Sequence, residues 1–292
     1  MVVKFANQVS YFRVWLAEIP DIDLNLTQFV AEVVQTELMM LGDFHLHSTF
    51  SDGKLTIPEL VDRFGTRGFG AIAITDHLCE ERSMIGKFAG YLNRTLTPGT
   101  YPLYLEILKS EADRAWDRYR MVVIPGFELT KNSISNHRSA HMLALGARQF
   151  IQADADVLDL ARAIRAQGAL AIAAHPVSTR KMEKQTFHLW DRVEELRHEF
   201  DAWEVASGPY LFNEILDSGL PKIANSDLHH PRQMTSWKTV LDCERSEEAV
   251  LDAIRRQRIG FTFYTDSGAD VQRLVPRSVP DGLRDIPRPK AV

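Results

Sequence analysis

A chain of 292 residues, 45% hydrophobic and 25% charged, has room for one large domain or two small ones and the composition of an ordinary globular protein. Its net charge of -5 leaves no basic footprint for coating nucleic acid, so no stable nucleic-acid binding is expected, although an enzyme acting on nucleotides is not excluded. Cys79 and Cys243 stand far apart in no metal-type spacing, no run of about 18 apolar residues offers a membrane span, and no clean leader pattern opens the chain; the expected location is the cytoplasm.

Residues 1–38 are expected to form a partly helical extension, with helical spacing of Leu26, Phe29, Val30, Val33, Val34 and Leu38. From residue 39 the pattern alternates between strand and helix. MMLGDFHLH predicts a first strand, with His45 and His47 two apart and so on one face, and Asp52 and Gly53 just beyond it. Thr56, Pro58 and Glu59 announce a helix running to about Arg67 and closed by Gly68. FGAIAITDH is apolar almost throughout, as suits a parallel strand covered on both faces, and closes on Thr75, Asp76 and His77.

Residues 80–100 are less regular, and a charged helix follows from about Leu103 to Arg120. The 80–120 segment is expected to be an inserted helical stretch that serves as a lid or wall. MVVIPGFELT predicts a strand ending near Glu128, and SAHMLALGA another, with His141 near its start. A helix over Asp156–Gln167, closed by Gly168, leads to ALAIAAHP and His175. Helices are then expected over Lys184–Phe200 and Tyr210–Ser218, on either side of a strand at DAWEVAS. PKIANSDLHH runs into Asp227, His229 and His230. WKTVLDCE, a helix capped by Ser246 and FTFY close the pattern; the tail from Asp266, rich in Pro, Arg, Asp and Gly, is expected to be disordered.

Repeated strand–helix units make the fold α/β, either an open sheet or a barrel. In both, sites lie at the carboxyl ends of strands, and His45, His47, His77, Glu128, His175, Asp227 and His229 fall there. His141 is the exception. A barrel gathers these ends into one ring, so the clustering favours it. Each residue has a plainer reading taken alone: a core histidine at 141, a surface carboxylate at 128, a helix cap at 227. A metal site explains them together.

In order, the motifs HLHSTFSDG, ITDH, PGFE, AHMLALG, AAHP and NSDLHH resemble the PHP family, the polymerase and histidinol phosphatase domain. The resemblance covers about residues 40–265 and implies a distorted (β/α)7 barrel over 39–265. It further implies a site for two or three divalent ions of zinc, manganese or iron type. His45, His47, Glu128 and Asp227 would hold one ion and Asp52, His77 and His229 a second. Glu128 would bridge to a third, held also by His141 and His175. Asp52, Glu128 and His229 carry the catalytic weight. The implied activity is hydrolysis of a small phosphorylated metabolite or nucleotide by metal-bound hydroxide, with no protein nucleophile. Two alternatives are kept: an ester or carbamate hydrolase using the same site, and a non-catalytic metal-binding domain.

Arg138 and Arg180 are the first candidates for holding a substrate phosphate, with Lys131, Asn132 and Lys181 behind them and Ser207 and Gly208 lining the pocket. His230 is either a proton donor to the leaving group or, the favoured reading, a surface residue. Family members acting on 3',5'-bisphosphonucleotides carry an inserted domain between the positions of His141 and His175. Here only 142–174 intervene, so the substrate is left open, as is the oligomeric state.

Overall fold

The computed structural model describes residues 39–81, 94–133, 136–177 and 186–266. The expected extension over 1–38 and all of the expected tail beyond Asp266 lie outside the described residues. The chain separates into Met1–Met39 and Met40–Val292, and the fold below is that of the second unit.

The strands are β1 (Met39–Asp43), β2 (Ala71–Ile74), β3 (His77–Cys79), β4 (Val122–Lys131), β5 (Ala140–Leu145), β6 (Leu170–Ala174), β7 (Ala202–Ser207), β8 (Tyr210–Leu211), β9 (Lys222–Asn225), β10 (Ser236–Asp242) and β11 (Ile259–Tyr264). The principal helices are α1 (Ile57–Gly65), α2 (Tyr101–Tyr119), α3 (Val157–Arg165) and α4 (Glu247–Arg255). Strands pair in the order β11-β10-β1-β2-β4-β5-β6-β7-β8, with β3 also on β4 and β9 on β7.

Pairing is parallel for β1/β2, β2/β4, β6/β7 and β7/β9, but β5 runs antiparallel to both its neighbours. This reversal accounts for His141. A residue near the start of a reversed strand lies at the end where its parallel neighbours finish. His141 is accordingly opposite Thr130 on one side and Ala174 on the other, next to His175.

Past the regular strands, Leu46 and Leu228 form a parallel bridge. The His47 N–H donates to the Leu228 carbonyl (2.9 Å) and the Leu228 N–H to the His45 carbonyl (3.1 Å). The sheet is therefore curled far enough for the chain leaving β9 to meet the chain leaving β1. Together these elements make a mixed α/β fold with a curled sheet.

Local sequence explains the main elements. Thr56 caps α1 in a reciprocal capping box with Glu59, and Pro58 sits in the first turn, where its missing N–H costs nothing. Asp156 and Ser246 cap α3 and α4. β2, β5, β6 and β7 are buried along their whole length, which is why they read as unbroken apolar runs. One core cluster joins Ala71, Ala73, Val122, Ile124, Leu143, Leu145, Leu170, Ile172, Ala202 and Ile223 with Val250, Ala253 and Ile254 of α4. Side chains on a strand repeat every second residue. The core face of β4 (Val122, Ile124) therefore carries Glu128 further along. In the same way the face of β5 (Leu145, Leu143) carries His141, and that of β7 (Ala202) carries Glu204. One face is oily at one end and acidic or imidazole-bearing at the other.

Three expectations need correction. The Lys184–Phe200 helix is, over its described part, two single turns, His188–Asp191 and Val193–Leu196, broken at Arg192. The Arg192 guanidinium spans Asp156 and Glu195, so that residue serves a cross-link rather than a helix interior. The Tyr210–Ser218 helix shrinks to Asn213–Leu216, because Tyr210 and Leu211 pair as β8 with the end of β7. Finally, β4 continues past Glu128 to Lys131, sustained by β3 and β5 on either side. Helix α2 packs on β4 and α1 through a buried face of Tyr101, Tyr104, Leu108 and Ala115. Part of the 80–120 lid expectation, residues 82–93, lies outside the described residues.

Candidate metal centre

The SDG loop after β1 is fastened from below. Asp76 is fully buried and accepts from the Ser48 N–H (2.8 Å), the Ser48 hydroxyl (2.6 Å) and the Ser51 hydroxyl (2.5 Å). The Gly53 N–H returns to the Ser48 carbonyl (3.0 Å), and a Cβ at Gly53 would collide with the backbone of His47. Only glycine lets the loop fold back this tightly, and the fold-back presents Asp52 to His77 and His229.

The structure brings all nine sequence-expected residues together. Glu128 stands at the centre, its carboxylate within 3.7 Å of five imidazoles: His77 (2.6 Å), His141 (3.0 Å), His45 (3.4 Å), His175 (3.5 Å) and His47 (3.7 Å). Asp227 Oδ1 lies 3.3 Å from His45 Nε2, 3.4 Å from His47 Nε2 and 3.4 Å from His229 Nδ1. Asp52 Oδ1 lies 3.2 Å from His229 Nε2 and 3.5 Å from His77 Nε2. Four overlapping groups have the spacing to hold an ion: His47/Asp52/His77/His229, His45/His175/Asp227, His45/His47/Glu128 and Glu128/His141/His175.

Depth divides the cluster. The side chains of His45, His47 and Glu128 have no exposure, whereas Asp52 and His229 keep 34% and 29%. Charge follows the neighbours rather than depth. Burial opposes a charge on His45, yet Asp227, Glu204 and Glu128 outweigh it and raise its pKa well above the ordinary value. Burial, with His229 and His77 beside it, pushes His47 down to about 3. Burial also opposes charge on His229, but Asp227 and Asp52 raise it to about 9. Burial would raise the carboxyls of Glu128 and Asp227; the surrounding histidines win and hold both well below the usual range.

The donor set fits divalent cations by its own chemistry. His45 Nε2, His47 Nε2, Asp52 Oδ1 and Glu128 Oε2 are buried atoms with no hydrogen-bond partner. Leaving such groups unmade costs about 1–3 kcal/mol each, so a native fold ordinarily satisfies them. Among the described residues, Asp52, Glu128 and Asp227 have only histidines as ion-pair partners. Imidazole nitrogens and carboxylate oxygens left without a lysine or arginine are the ligands that zinc, manganese and iron take.

The substrate-binding candidates are more scattered. Arg138 is exposed on the 3-10 turn Asn136–Arg138, three residues before His141. Arg180 and Lys181 lie outside the described residues. Lys131 is engaged elsewhere, with Glu80 (2.8 Å) and the Ala153 carbonyl (3.0 Å). Asn132 Oδ1 lies 3.3 Å from His141 Nε2, and Ser207 is buried at the end of β7, before Gly208 at φ +57°. His230 is exposed and caps the turn Pro231–Met234 together with Gln233, which gives it a structural task.

Sequence reasoning passed over Glu204. It is fully buried, and its carboxylate reaches His45 Nδ1 and the His175 backbone. A signal existed: Glu204 is the lone charge inside the apolar run AWEVAS, and such a charge is almost never buried without a partner.

Residues 43–149 match the PHP domain family. The chain is similar to an uncharacterized protein, MJ1295, of Methanocaldococcus jannaschii, with 40% identity over 91 residues. That stretch is 31% of this chain and 34% of the relative, so the match spans about a third of the relative's length. In structure it is similar to a two-domain protein from Bacteroides vulgatus containing a predicted PHP-like metal-dependent phosphoesterase. The TM-score is 0.57 at 23% identity, over 77% of this chain and 65% of that one. This second likeness bears on the fold, and it extends beyond the segment that matches in sequence.

Proposed function

With residues 43–149 matching the PHP domain family, we propose that the chain is a metal-dependent phosphoesterase acting on a small phosphorylated metabolite or nucleotide. The observation that carries this reading is the set of four buried ligand atoms without a hydrogen bond, on His45, His47 and Asp52 from the segment after β1 and on Glu128 of β4. The phosphoester part of the reading comes from the family match. The Leu46–Leu228 bridge supports a closed ring of seven strands, β1-β2-β4-β5-β6-β7-β9, as the scaffold.

In this reading His45, His47, Glu128 and Asp227 hold one ion, Asp52, His77 and His229 a second, and Glu128, His141 and His175 a third. Bound divalent ions polarise a phosphoryl oxygen and lower the pKa of a coordinated water toward neutrality. The chain's own groups do the rest. Glu128 gathers five imidazoles around one carboxylate. Asp52 and His229, the least buried of the set, face the side from which substrate enters. Arg138, at the rim, is placed to pair with a phosphate oxygen.

The deciding experiment combines metal content with a substrate panel: p-nitrophenyl phosphate, its bis-ester, a 3',5'-bisphosphonucleotide, histidinol phosphate and p-nitrophenyl acetate, with manganese and zinc supplied in turn. Two or three ions per chain with phosphate release supports the proposal. Cleavage of the acetate alone replaces it with an ester or carbamate hydrolase. Bound metal without turnover leaves a binding domain, and absence of metal removes the basis of the reading.

A further inference from the structure

Glu204 stands behind the cluster rather than in it. Its Oε1 accepts from the Asn225 side-chain amide (2.9 Å) and sits 2.9 Å from His45 Nδ1; its Oε2 accepts from the His175 N–H (2.7 Å). All four residues have no more than 5% exposure. Asn225 in turn accepts from the Phe44 N–H through Oδ1 (3.0 Å), so the same pair also fixes the backbone immediately before His45.

The geometry points to Glu204 as the residue that sets the metal-binding face of His45 and the backbone turn at His175, which makes it a positioning residue for two ligands at once; this rests on the metal-centre reading above. An ionised carboxylate is acceptor only, so the 2.9 Å contact requires the proton of His45 to be on Nδ1. When the ring gives up its second proton to take an ion, the lone pair is then on Nε2, the atom 3.4 Å from Glu128 and 3.3 Å from Asp227 that has no hydrogen-bond partner. Without that acceptor the ring is free to take the other tautomer or to flip, and the cluster loses a donor.

The second bond acts on the backbone. His175 has φ +29°, outside the regions that side-chain-bearing residues prefer. On β6, Ile172 and Ala174 face the core cluster, so by plain alternation residue 175 would point away from it. The turn at φ +29° brings the imidazole back toward Glu128, at 3.5 Å. The bond from Glu204 to the His175 N–H holds that turn in place. His45 and His175 end up stacked, their centroids 5.7 Å apart at 14°. They share a carboxylate behind them and, with Asp227, form one of the ion-sized groups in front.

Glu204→Gln keeps size and shape but leaves one acceptor oxygen where two served three N–H donors, and sets an NH2 against one of them. The test uses the full chain loaded with zinc. In the wild type, long-range 1H–15N correlation of the imidazoles is expected to show His45 ligated through Nε2 and protonated at Nδ1. In the variant, zinc affinity measured by competition with a fluorescent chelator is expected to fall about 10- to 100-fold, with an unchanged far-UV spectrum. Wild-type zinc binding with His45 ligated through Nδ1 overturns the role of Glu204 and leaves the metal reading intact; so does unchanged affinity in the variant. A wild type that binds no zinc, manganese or iron removes the metal reading itself. If the variant does not fold, the wild-type spectrum decides alone.

Discussion

Asp43 and Glu128 are both carboxylates with no side-chain exposure, and they keep different company. Asp43 Oδ2 accepts from Lys238 Nζ (2.6 Å) and its Oδ1 from the Ser226 N–H (3.0 Å). Lys238 also donates to the Ser236 hydroxyl (2.8 Å) and lies over the ring of Phe64. Every charge there has its opposite. Around Glu128 there are five imidazoles, and buried atoms without a hydrogen bond on four of the nine cluster residues. The difference separates scaffold from site. A buried pair that is complete holds β1 to β10 and fixes the backbone one residue before Asp227, whereas a buried cluster left open on one side is shaped for something the chain does not contain.

The comparison predicts opposite phenotypes. Glu128→Gln should produce the largest effect: loss of bound metal and a fall in turnover of more than about 100-fold, with the fold kept. Metal analysis and steady-state kinetics check it, and full turnover would reject the central role of Glu128. Lys238→Met should do the reverse, destabilising by about 3–5 kcal/mol in urea unfolding because Asp43 is stranded, while the folded fraction still binds metal. Pairing it with Asp43→Leu should recover much of the loss.

Smaller effects sharpen the contrast. Chelation should lower Tm, by about 2.7 kcal/mol of stability where metal had been at 100 times its Kd. The metal-free protein should also become less stable as pH rises from about 6.5 to about 9. His229 is raised to about 9, so its contribution is complete below its unfolded pKa and disappears as pH passes the folded one; His45, His77 and His175 shift in the same direction. His47 and His141 are lowered, hence neutral in both states above 6.5, and do not offset the loss. Thermal melts across that range, with and without zinc, read it directly, and a flat profile in the chelated protein would count against the charged cluster. Arg138→Ala should raise KM several-fold for phosphorylated substrates with metal content unchanged. Thr56→Ala should cost only about 1 kcal/mol through the lost cap and leave metal binding alone.

How much of this was legible depended on whether the determining contacts were local. Helix α1 was readable because Thr56, Pro58 and Glu59 act within one turn of each other. The motif residues were readable because period-two spacing and strand ends are local features too. The break at Arg192 was not, since it answers to Asp156, 36 residues away. Nor was the direction of β5: SAHMLALGA carries no mark of strand polarity, which only the pairing with β4 and β6 decides. Glu204 and Lys238 lay inside largely apolar strands, and their partners, His45 and Asp43, are separated from them by 159 and 195 residues.

The reversal of β5 has a consequence for how such a molecule is diversified. Because β4 and β5 are antiparallel neighbours, the segment 132–139 joins two strand ends on the same rim. A connection between antiparallel neighbours is not obliged to cross the layers that hold the sheet together, and doubling a loop's length costs only about 0.6 kcal/mol in closure entropy. That rim segment carries Arg138 and leads straight into His141. It is where selection, or a designer, can change what stands beside the cluster without dismantling the frame that holds it.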